Sequence, residues 1–332
     1  MIRADSPSLF DADEDLHDSL LDGLTAVDQR LREVVDHEDP FIAEASGHLA
    51  QAGGKRFRPL LTLLASQVAG GINPAVIDAA VGVELTHLAS LYHDDVMDEA
   101  QLRRGVQSAN VRYGNATSIL VGDLLFGTAS SVIADLGADA VKIQAATFVR
   151  LCSGQIRDER APEVGIDPVQ RYLSVLSDKT GSLIATAARY GAMFGGADER
   201  AITLLTSFGE NLGIVFQLTD DILDISSDAE ESGKAPGADL REGKATLPVL
   251  YARAMAGPDD ERLLALLSGP IADAEDVSEA VRLLRDHAAM MRAREHTASF
   301  ASQTRSQLDQ LGEAPAIEAL RALVDGVADR TA

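Results

Sequence analysis

The sequence predicts an all-α fold built as one large helical domain. Apolar residues recur three or four positions apart along almost the whole chain, which is the spacing of one face of an α-helix. No segment alternates convincingly between apolar and polar residues, and the chain contains no Asn-Gly hairpin signal. No linker rich in proline and serine divides the 332 residues, so we expect a single domain.

The helices are predicted in order from the apolar stripes and from the breakers between them. Residues 1–18 are polar and acidic, and we expect them to form a frayed, solvated arm ahead of a domain that spans 19–332. Clear apolar stripes follow at residues 20–34, 81–96 and 212–225. Helix-breaking residues separate the segments; they are Asp39-Pro40, Gly53-Gly54, Gly70-Gly71, Gly195-Gly196, Gly233, Pro236-Gly237, Gly257-Pro258, Gly269-Pro270 and Pro315.

The composition argues against several classes of function. The chain has 29 basic and 52 acidic residues and a formal net charge of −23, so we expect no binding to nucleic acid or to an anionic membrane surface. The single cysteine, Cys152, excludes an intrachain disulfide, and we expect it to be a small buried side chain. The N-terminus carries no secretory signal, and the longest uncharged run, residues 59–77, is broken by glycines and a proline. We therefore expect a cytoplasmic protein without an integral membrane segment.

Two clusters of aspartates share one spacing. The first is Asp94, Asp95 and Asp98, the second is Asp220, Asp221 and Asp224, and both have the form DDxxD. Positions four apart share a helix face, so the outer two aspartates of each cluster lie about 6 Å apart along the axis. One such cluster is equally well explained as a solvated helix end, but two copies within apolar stripes are not.

The carboxylates of these clusters predict a bound divalent cation. Like charges four residues apart destabilise a helix, and carboxylates within apolar stripes are costly to bury without partners. A cation removes both penalties. Oxygen ligands without paired histidine or cysteine favour a hard ion, so we predict Mg²⁺ carrying a diphosphate between two facing helices.

Basic residues near the clusters are suited to hold phosphate groups. They are Lys55, Arg56 and Arg58 on a glycine-led loop, Arg103 and Arg104 after the first cluster, Lys179 before the second, and Lys234 and Lys244 after it. Each one alone is more simply explained as a surface charge, and neither a P-loop nor a GxGxxG motif is present. Only their combination with the aspartates indicates a diphosphate site.

Two further polar residues share a face with the clusters. His87 lies two helical turns before Asp94, and Gln217 lies three residues before the second cluster, so each could donate to a phosphate oxygen or serve as an ordinary packing residue. Glu84 and His87 also form a Glu-x-x-His motif, which on paired helices builds di-iron carboxylate sites. The chain contains one such motif, which argues against a di-iron site.

Taken together, the motifs resemble those of the trans-isoprenyl diphosphate synthase (polyprenyl synthetase) family over roughly Ala43 to Leu250. They are GGKRFRP, ELTHLASLYHDDVMDEAQLRRG, GDLL, KTGSL, FQLTDDILDI and GKAPGADLREGKATLP, in the family's order. The two-residue spacer in the first cluster resembles the bacterial long-chain branch. The resemblance implies a single all-α bundle around a deep central cavity, usually as a homodimer. The family's basic C-terminal ending is not evident in DGVADRTA, which leaves open whether the C-terminus closes over the site.

The resemblance also implies a role for each motif residue. Mg²⁺ ions carrying an allylic diphosphate would be held by Asp94, Asp95, Asp98, Asp220, Asp221 and Asp224. That diphosphate would also contact Arg103, Lys179, Thr180, Gln217 and Lys234. The diphosphate of isopentenyl diphosphate would be held by Lys55, Arg58, His87 and Arg104.

Product length is expected to depend on residues one turn below the first cluster. Ala89 and Ser90 lie five and four positions before Asp94, and both are small. In the family a bulky aromatic residue there stops growth at farnesyl or geranylgeranyl length, so the resemblance predicts a longer product. Phe126 is a candidate for a deeper floor. Small residues at 89 and 90 would equally permit close helix packing.

The sequence therefore predicts a Mg²⁺-dependent prenyltransferase that condenses isopentenyl diphosphate with an allylic diphosphate. The expected product is an all-trans chain of octaprenyl or nonaprenyl type, as used for quinone side chains. A geranylgeranyl or geranylfarnesyl diphosphate synthase is one alternative. A non-catalytic subunit of a heteromeric synthase is another, although such subunits commonly lack one or both clusters. A terpene cyclase would not need the basic set at Lys55, Arg58 and Arg104.

Overall fold

Helices make up most of the residues that the computed structural model describes, which are 13–160, 165–227 and 236–331. The α-helices, numbered in chain order, are α1 Glu14–Val35, α2 Pro40–Gln51, α3 Phe57–Ser66, α4 Pro74–Met97, α5 Ala109–Tyr113, α6 Asn115–Ala134, α7 Ala138–Asp158, α8 Pro168–Leu176, α9 Ser182–Phe194, α10 Glu199–Ser226, α11 Ala238–Glu242, α12 Leu247–Met255, α13 Glu261–Leu266, α14 Ala274–Asp286, α15 Ala288–Gln307 and α16 Pro315–Ala328. One turn of π-helix, Ser177–Gly181, joins α8 to α9 and is called the π-turn below. Turns of 3₁₀-helix lie at Pro258–Asp260, Leu308–Leu311 and Asp329–Thr331. The all-α prediction is confirmed.

The first helix begins earlier than the sequence predicted. α1 starts at Glu14, inside the range expected for a frayed arm, and Asp13 caps it by accepting a hydrogen bond of 2.8 Å from the backbone N–H of Leu16. Glu14 and Asp15 occupy the first turn, where the helix dipole favours negative charge. Part of the acidic stretch is therefore a helix start. Residues 1–12 of the predicted arm lie outside the described residues.

Most of the predicted breakers separate helices. Asp39 accepts from the backbone N–H groups of Phe41 and Ile42 and so begins α2, with Pro40 in the first turn. The glycine pairs at 53–54, 70–71 and 195–196 lie between helices. Gly233 lies outside the described residues.

One short ribbon departs from the helical pattern. Strand β1, Leu102–Arg103, pairs antiparallel with strand β2, Val106–Gln107. The two residues between them, Arg104 and Gly105, have φ of +53° and +80°, as the mirror-image turns of tight hairpins require. Strands of two residues are too short to show alternation, so the sequence pattern did not reveal them.

The helices that carry the two aspartate clusters lie on either side of α9. α4 is buried on all sides, against α1, α3, α6 and α9, and α9 packs in turn against α10. The close approach of α9 to α3 depends on Gly191, because a Cβ atom there would lie 2.1 Å from the carbonyl oxygen of Thr62. One apolar core surrounds α4 and α9, and a second lies between α10 and the helices that follow it.

Within the described part of the chain, three helices, α4, α6 and α10, are long and apolar enough to cross a membrane if length and composition alone are considered. Other helices bury 67% of the apolar window of α4 and 50% of that of α10, but only 39% of that of α6. α6 therefore presents an apolar face to solvent, which includes Ile119, Leu120 and Leu124.

Candidate active site

The first aspartate cluster lies at the end of α4. The backbone N–H of Asp98, the residue that caps the helix, donates to the carbonyl oxygen of Asp94 at 2.8 Å, so the helical repeat continues to Asp98. The two carboxylates therefore share a face, as the spacing predicted. Burial raises the pKa of Asp94 to about 6, an effect that Lys179 opposes and Asp98 strengthens.

Asp95 makes contacts of a different kind. It is fully buried and accepts hydrogen bonds from Nε of Arg103 at 2.6 Å and from the backbone N–H of Ala109 at 3.3 Å. Asp95, which the resemblance includes among the metal ligands, is paired with Arg103 in the structure. Its carboxylate thereby ties the β1–β2 ribbon to α4 and fixes Arg103 beside the cluster.

The second cluster lies near the end of α10. Asp221 is buried and accepts from the hydroxyl of Tyr172 and from Nε2 of Gln217 at 3.3 Å. Burial raises the pKa of Asp221 to about 8. Asp220 forms an ion pair of 2.9 Å with Nη1 of Arg330.

Asp224 joins α10 to the segment that returns after residue 235. Its carboxylate accepts from the backbone N–H groups of Ala238 and Asp239 at 3.0 and 3.1 Å. This contact brings Asp239 to the same site. Burial, strengthened by Asp224, raises the pKa of Asp239 to about 6.

Lys179 reaches the site from the π-turn, a rare element that often occurs at functional sites. Its Nζ lies 2.7 Å from Oδ2 of Asp158 on α7. The turn is tightly held, since a Cβ on Gly154 would lie 2.5 Å from the backbone nitrogen of Lys179. On the other side, a Cβ on Gly213 would lie 2.7 Å from Cα of Gly181.

Acidic groups from both sides of the site act on one lysine. Burial lowers the pKa of Lys244, but Glu242, Asp239 and Asp98 together raise it above the usual value. Asp98 belongs to the first cluster, and Asp239 is bonded to the second. Lys179 likewise acts on Asp94 from the α9 side.

The donor set suits a hard cation that brings ligands of its own. Among the residues that the structure describes, no three histidine, cysteine, aspartate or glutamate side chains are grouped closely enough to hold a metal ion. Carboxylates nevertheless lie on both sides of the site, Asp94 on α4 and Asp221 and Asp239 on the other side. Burial raises the pKa of all three, which disfavours their charged form. A cation completed by phosphate or water oxygens fits these walls.

The second basic set, Lys55, Arg58 and Arg104, lies beside the aspartates. Nε of Arg58 is buried and has no hydrogen-bond partner among the described residues, and burial lowers the pKa of its guanidinium to about 10. Burial and the neighbouring arginines hold the pKa of His87 well below its usual value, so its ring is neutral. The pKa of Lys55 is lowered by burial and by Arg330. Cations so close together favour an anionic ligand.

Several site residues were not recognised in the sequence. Arg330 comes from the last turn of the chain, where its guanidinium pairs with Asp220 and lies 5.6 Å from the ring centroid of Phe216. The C-terminus therefore reaches the site although it carries a single basic residue. Glu84, considered above for a di-iron site, is instead paired with Arg56 and Arg104. Only tertiary structure brings these partners together.

The remaining predicted residues are placed as follows. Thr180 is half-buried in the π-turn, Ala89 is buried, and the hydroxyl of Ser90 donates to the carbonyl oxygen of His87. Phe126 stacks on Phe148 of α7 with 3.9 Å between ring centroids. Lys234 lies outside the described residues. Cys152 is half-buried, and burial raises the pKa of its thiol, which disfavours a nucleophilic role.

The chain is similar to proteins of one family over most of its length. Residues 39–284 match the family model described as polyprenyl synthetase. The chain is 47% identical over 309 residues to nonaprenyl diphosphate synthase of Mycobacterium tuberculosis, covering 93% of this chain and 92% of that protein. It is similar to the crystal structure of geranylgeranyl pyrophosphate synthase from Corynebacterium glutamicum complexed with calcium and isoprenyl diphosphate, with TM-score 0.86, 40% identity and coverage of 96% and 98%. A decaprenyl diphosphate synthase structure from Rhodobacter capsulatus gives TM-score 0.86, 34% identity and coverage of 96% and 99%.

Proposed function

The chain belongs to the polyprenyl synthetase family and is a prenyltransferase, and from that premise we propose that it makes a medium- or long-chain all-trans polyprenyl diphosphate. The substrates are isopentenyl diphosphate and an allylic diphosphate. The observation that carries this proposal is the grouping of two DDxxD clusters with two sets of cations, in which Lys244 is influenced by both Asp98 and Asp239 and Lys55 by Asp220. Two such sets would bind two diphosphates.

Mg²⁺ is the proposed metal, and the outer aspartates of the clusters would hold it together with diphosphate oxygens. These aspartates are Asp94, Asp98, Asp220 and Asp224. The support is the oxygen-only donor set and the raised pKa of Asp94, which a cation would reverse. The Corynebacterium glutamicum relative was crystallised with calcium and isoprenyl diphosphate. When bound, a divalent cation supplies Lewis-acid stabilisation of the charge on the departing diphosphate.

The chain's own residues hold the two substrates and stabilise the leaving group. Arg103 and Lys179 donate to the allylic diphosphate as its C–O bond breaks and the electron pair leaves with the diphosphate. The double bond of isopentenyl diphosphate then attacks the allylic cation, and the resulting cation forms a new double bond as it gives up a proton to the released diphosphate. Arg58 and Arg104 keep the second diphosphate in place for that attack. The apolar walls of the helices exclude water, which would otherwise convert the cation into an alcohol.

The proposed product is longer than geranylgeranyl diphosphate. Ala89 and Ser90 are small where a bulky side chain would limit growth, and the relative with 47% identity is a nonaprenyl diphosphate synthase. Phe126, stacked on Phe148, is the proposed deeper floor. A product of this length would supply the side chain of a quinone.

We also propose a cytoplasmic homodimer. The exposed apolar side chains of α6 and α7 support the dimer; they are Ile119, Leu120, Leu124, Val141, Val149 and Ile156. A second copy that covers this face would remove it from water. The cytoplasmic location is supported by the strongly acidic composition, which suits a soluble surface.

Product analysis tests the proposed function. The purified chain is incubated with farnesyl diphosphate, labelled isopentenyl diphosphate and Mg²⁺, with an EDTA control, and product length is measured by reversed-phase chromatography. Metal-dependent elongation beyond geranylfarnesyl length supports the proposal. Products that stop at geranylgeranyl or geranylfarnesyl length favour the shorter-chain alternative. Absence of elongation with farnesyl, geranyl and dimethylallyl primers would indicate a missing partner subunit or cyclase chemistry.

A further inference from the structure

Glu84 is a buried carboxylate to which the condensation chemistry assigns no role. It lies on α4, three residues before His87, and is 1% exposed. Burying a carboxylate is costly unless it is paired. Its Oε1 lies 2.9 Å from Nη1 of Arg56 and 3.5 Å from Nη2 of Arg104. One buried anion therefore joins two cations that come from separate segments of the chain.

Both arginines are also held by backbone oxygens near the same carboxylate. Nη1 of Arg104 donates to the carbonyl oxygens of Leu49 and Gly53 at 3.1 and 2.5 Å. Nη2 of Arg56 donates to the carbonyl oxygen of Ala50 at 2.8 Å, and its Nε donates to Asp28 at 2.8 Å. These contacts engage all three guanidinium nitrogens of Arg56, but only Nη1 and Nη2 of Arg104, so Nε of Arg104 can donate to a ligand.

The backbone at both arginines is in the left-handed region. The φ of Arg56 is +47° and that of Arg104 is +53°. Residues with a Cβ adopt this region at a cost in energy, which persists only where surrounding contacts fix the conformation. The shared contact with Glu84 is such a constraint. Glu84 also acts on Arg58, because burial lowers the pKa of that guanidinium and the charge of Glu84 opposes the shift.

Arg103, the last residue of β1, shows the same arrangement as Arg104, which follows it in the turn. Arg103 is anchored by Asp95, and Arg104 by Glu84, and both carboxylates are buried on α4 about three helical turns apart. Arg103 and Arg104 are adjacent in the chain, but each pairs with a different carboxylate of α4. Each carboxylate serves one of the two proposed diphosphate sites.

We propose that Glu84 is the positioning residue of the isopentenyl diphosphate site. It orients Arg104 directly and, through Arg56, fixes the loop that carries Lys55 and Arg58. This inference rests on the proposed function, because it takes isopentenyl diphosphate as the ligand of these cations. The effect is specific to one substrate, since the allylic diphosphate depends on Arg103 and its own carboxylate.

Binding of the two substrates is measured separately on the full chain. Isopentenyl diphosphate alone, without an allylic primer, is titrated calorimetrically into wild type and Glu84→Gln. We expect its Kd and its KM to rise about tenfold, the equivalent of one charge-assisted hydrogen bond. The affinity for farnesyl diphosphate with Mg²⁺ stays within twofold, and kcat at saturation stays within threefold. Asp95→Asn is expected to show the reverse preference.

Matched controls separate positioning from general damage. Asp78→Asn removes another ion-paired carboxylate of α4, which lies 3.0 Å from Nε of Arg30, and should leave both affinities unchanged. An equal loss of both affinities in Glu84→Gln would indicate a merely structural role. Unchanged or tighter binding of isopentenyl diphosphate would overturn the inference, because removal of an anion should tighten binding if Glu84 only offsets positive charge.

A second variant tests the inference if Glu84→Gln does not fold. Arg56→Lys keeps the positive charge near Glu84 but cannot reach Glu84, Asp28 and the carbonyl oxygen of Ala50 together. We expect its affinity for isopentenyl diphosphate to fall at least about threefold, which is less than the loss expected for Glu84→Gln. Unchanged affinity in a folded Arg56→Lys would also overturn the inference. Failure of the wild type itself to bind isopentenyl diphosphate would refute the proposed function instead.

Discussion

Gly154 of α7 has no room for a side chain next to the π-turn, and this predicts a sharp loss of turnover in Gly154→Ala. A Cβ there would lie 2.5 Å from the backbone nitrogen of Lys179 and 2.9 Å from its Cα. The optimum separation of non-bonded heavy atoms is about 3.5 Å, so the turn must move by about 1 Å. Backbone cannot rotate away as the end of a flexible side chain does.

The displacement should affect chemistry more than stability. Overpacking costs about 1–3 kcal/mol, and replacing a mid-helix glycine by alanine returns about 1 kcal/mol. The net loss of about 0–2 kcal/mol is small beside the typical 5–15 kcal/mol stability of a folded domain, so the variant folds. A misplacement of about 1 Å in a catalytic group costs about a hundredfold in rate, and we expect that loss in kcat.

The assay compares turnover at saturating substrates with the midpoint of thermal unfolding. Gly23→Ala on α1 is the matched control, because its new Cβ would meet the side-chain methyl groups of Ile72 and Leu63 at 2.9 and 3.0 Å, far along the chain from the site. We expect unchanged turnover and no greater loss of stability than in Gly154→Ala, because side-chain ends can move where backbone cannot. Turnover of Gly154→Ala within threefold of wild type would refute the idea that the turn places Lys179.

Three further predictions concern the metal ligands, the chain-length floor and pH. Asp94→Ala and Asp220→Ala should each lower kcat at least about a hundredfold, because several kcal/mol of charge stabilisation are lost. Asp78→Ala is the control and should have the turnover of wild type. Near-normal turnover in Asp94→Ala or Asp220→Ala would count against that aspartate as a metal ligand. Ala89→Phe should shorten the product without abolishing activity, and an unchanged chain-length distribution would contradict a steric floor. His87, whose pKa is depressed from 6.5 in the folded state, binds a proton only on unfolding when the pH is below about that value. This group therefore lowers stability as the pH falls from 7 to 5. The unfolding temperature of His87→Gln should depend on pH less steeply than that of wild type. Parallel plots of unfolding temperature against pH for the two proteins would argue against a neutral, buried ring.

The helical architecture was readable from the sequence because its causes are local. The apolar spacing of α1, α4 and α10 and the breakers between helices act within a few residues of the chain. The start of α1 was misjudged because aspartates serve equally as solvated residues and as helix caps. The β1–β2 ribbon was missed because its signal is two glycine-like φ angles, one of which belongs to Arg104.

The candidate site was predicted only in part because side-chain partners depend on tertiary structure. The DDxxD spacing correctly placed Asp94 and Asp98 on one helix face. Nothing local distinguishes Asp95, which turns to Arg103, from its neighbours. The contact between Asp220 and Arg330 joins positions far apart in the chain, which no periodicity reveals.

The left-handed backbone at Arg56 and Arg104 has a consequence for attempts to improve the protein by selection. Glycine adopts that conformation at little cost, so exchanging either arginine for glycine would relieve strain of about 1 kcal/mol per position. Removing one partner of the buried Glu84 costs about 3–5 kcal/mol, which exceeds that gain, so a screen that rewards heat resistance alone would retain both arginines despite their backbone strain. Engineering for durability should hold these two positions constant and seek its gains elsewhere, as at surface positions of α14 and α15.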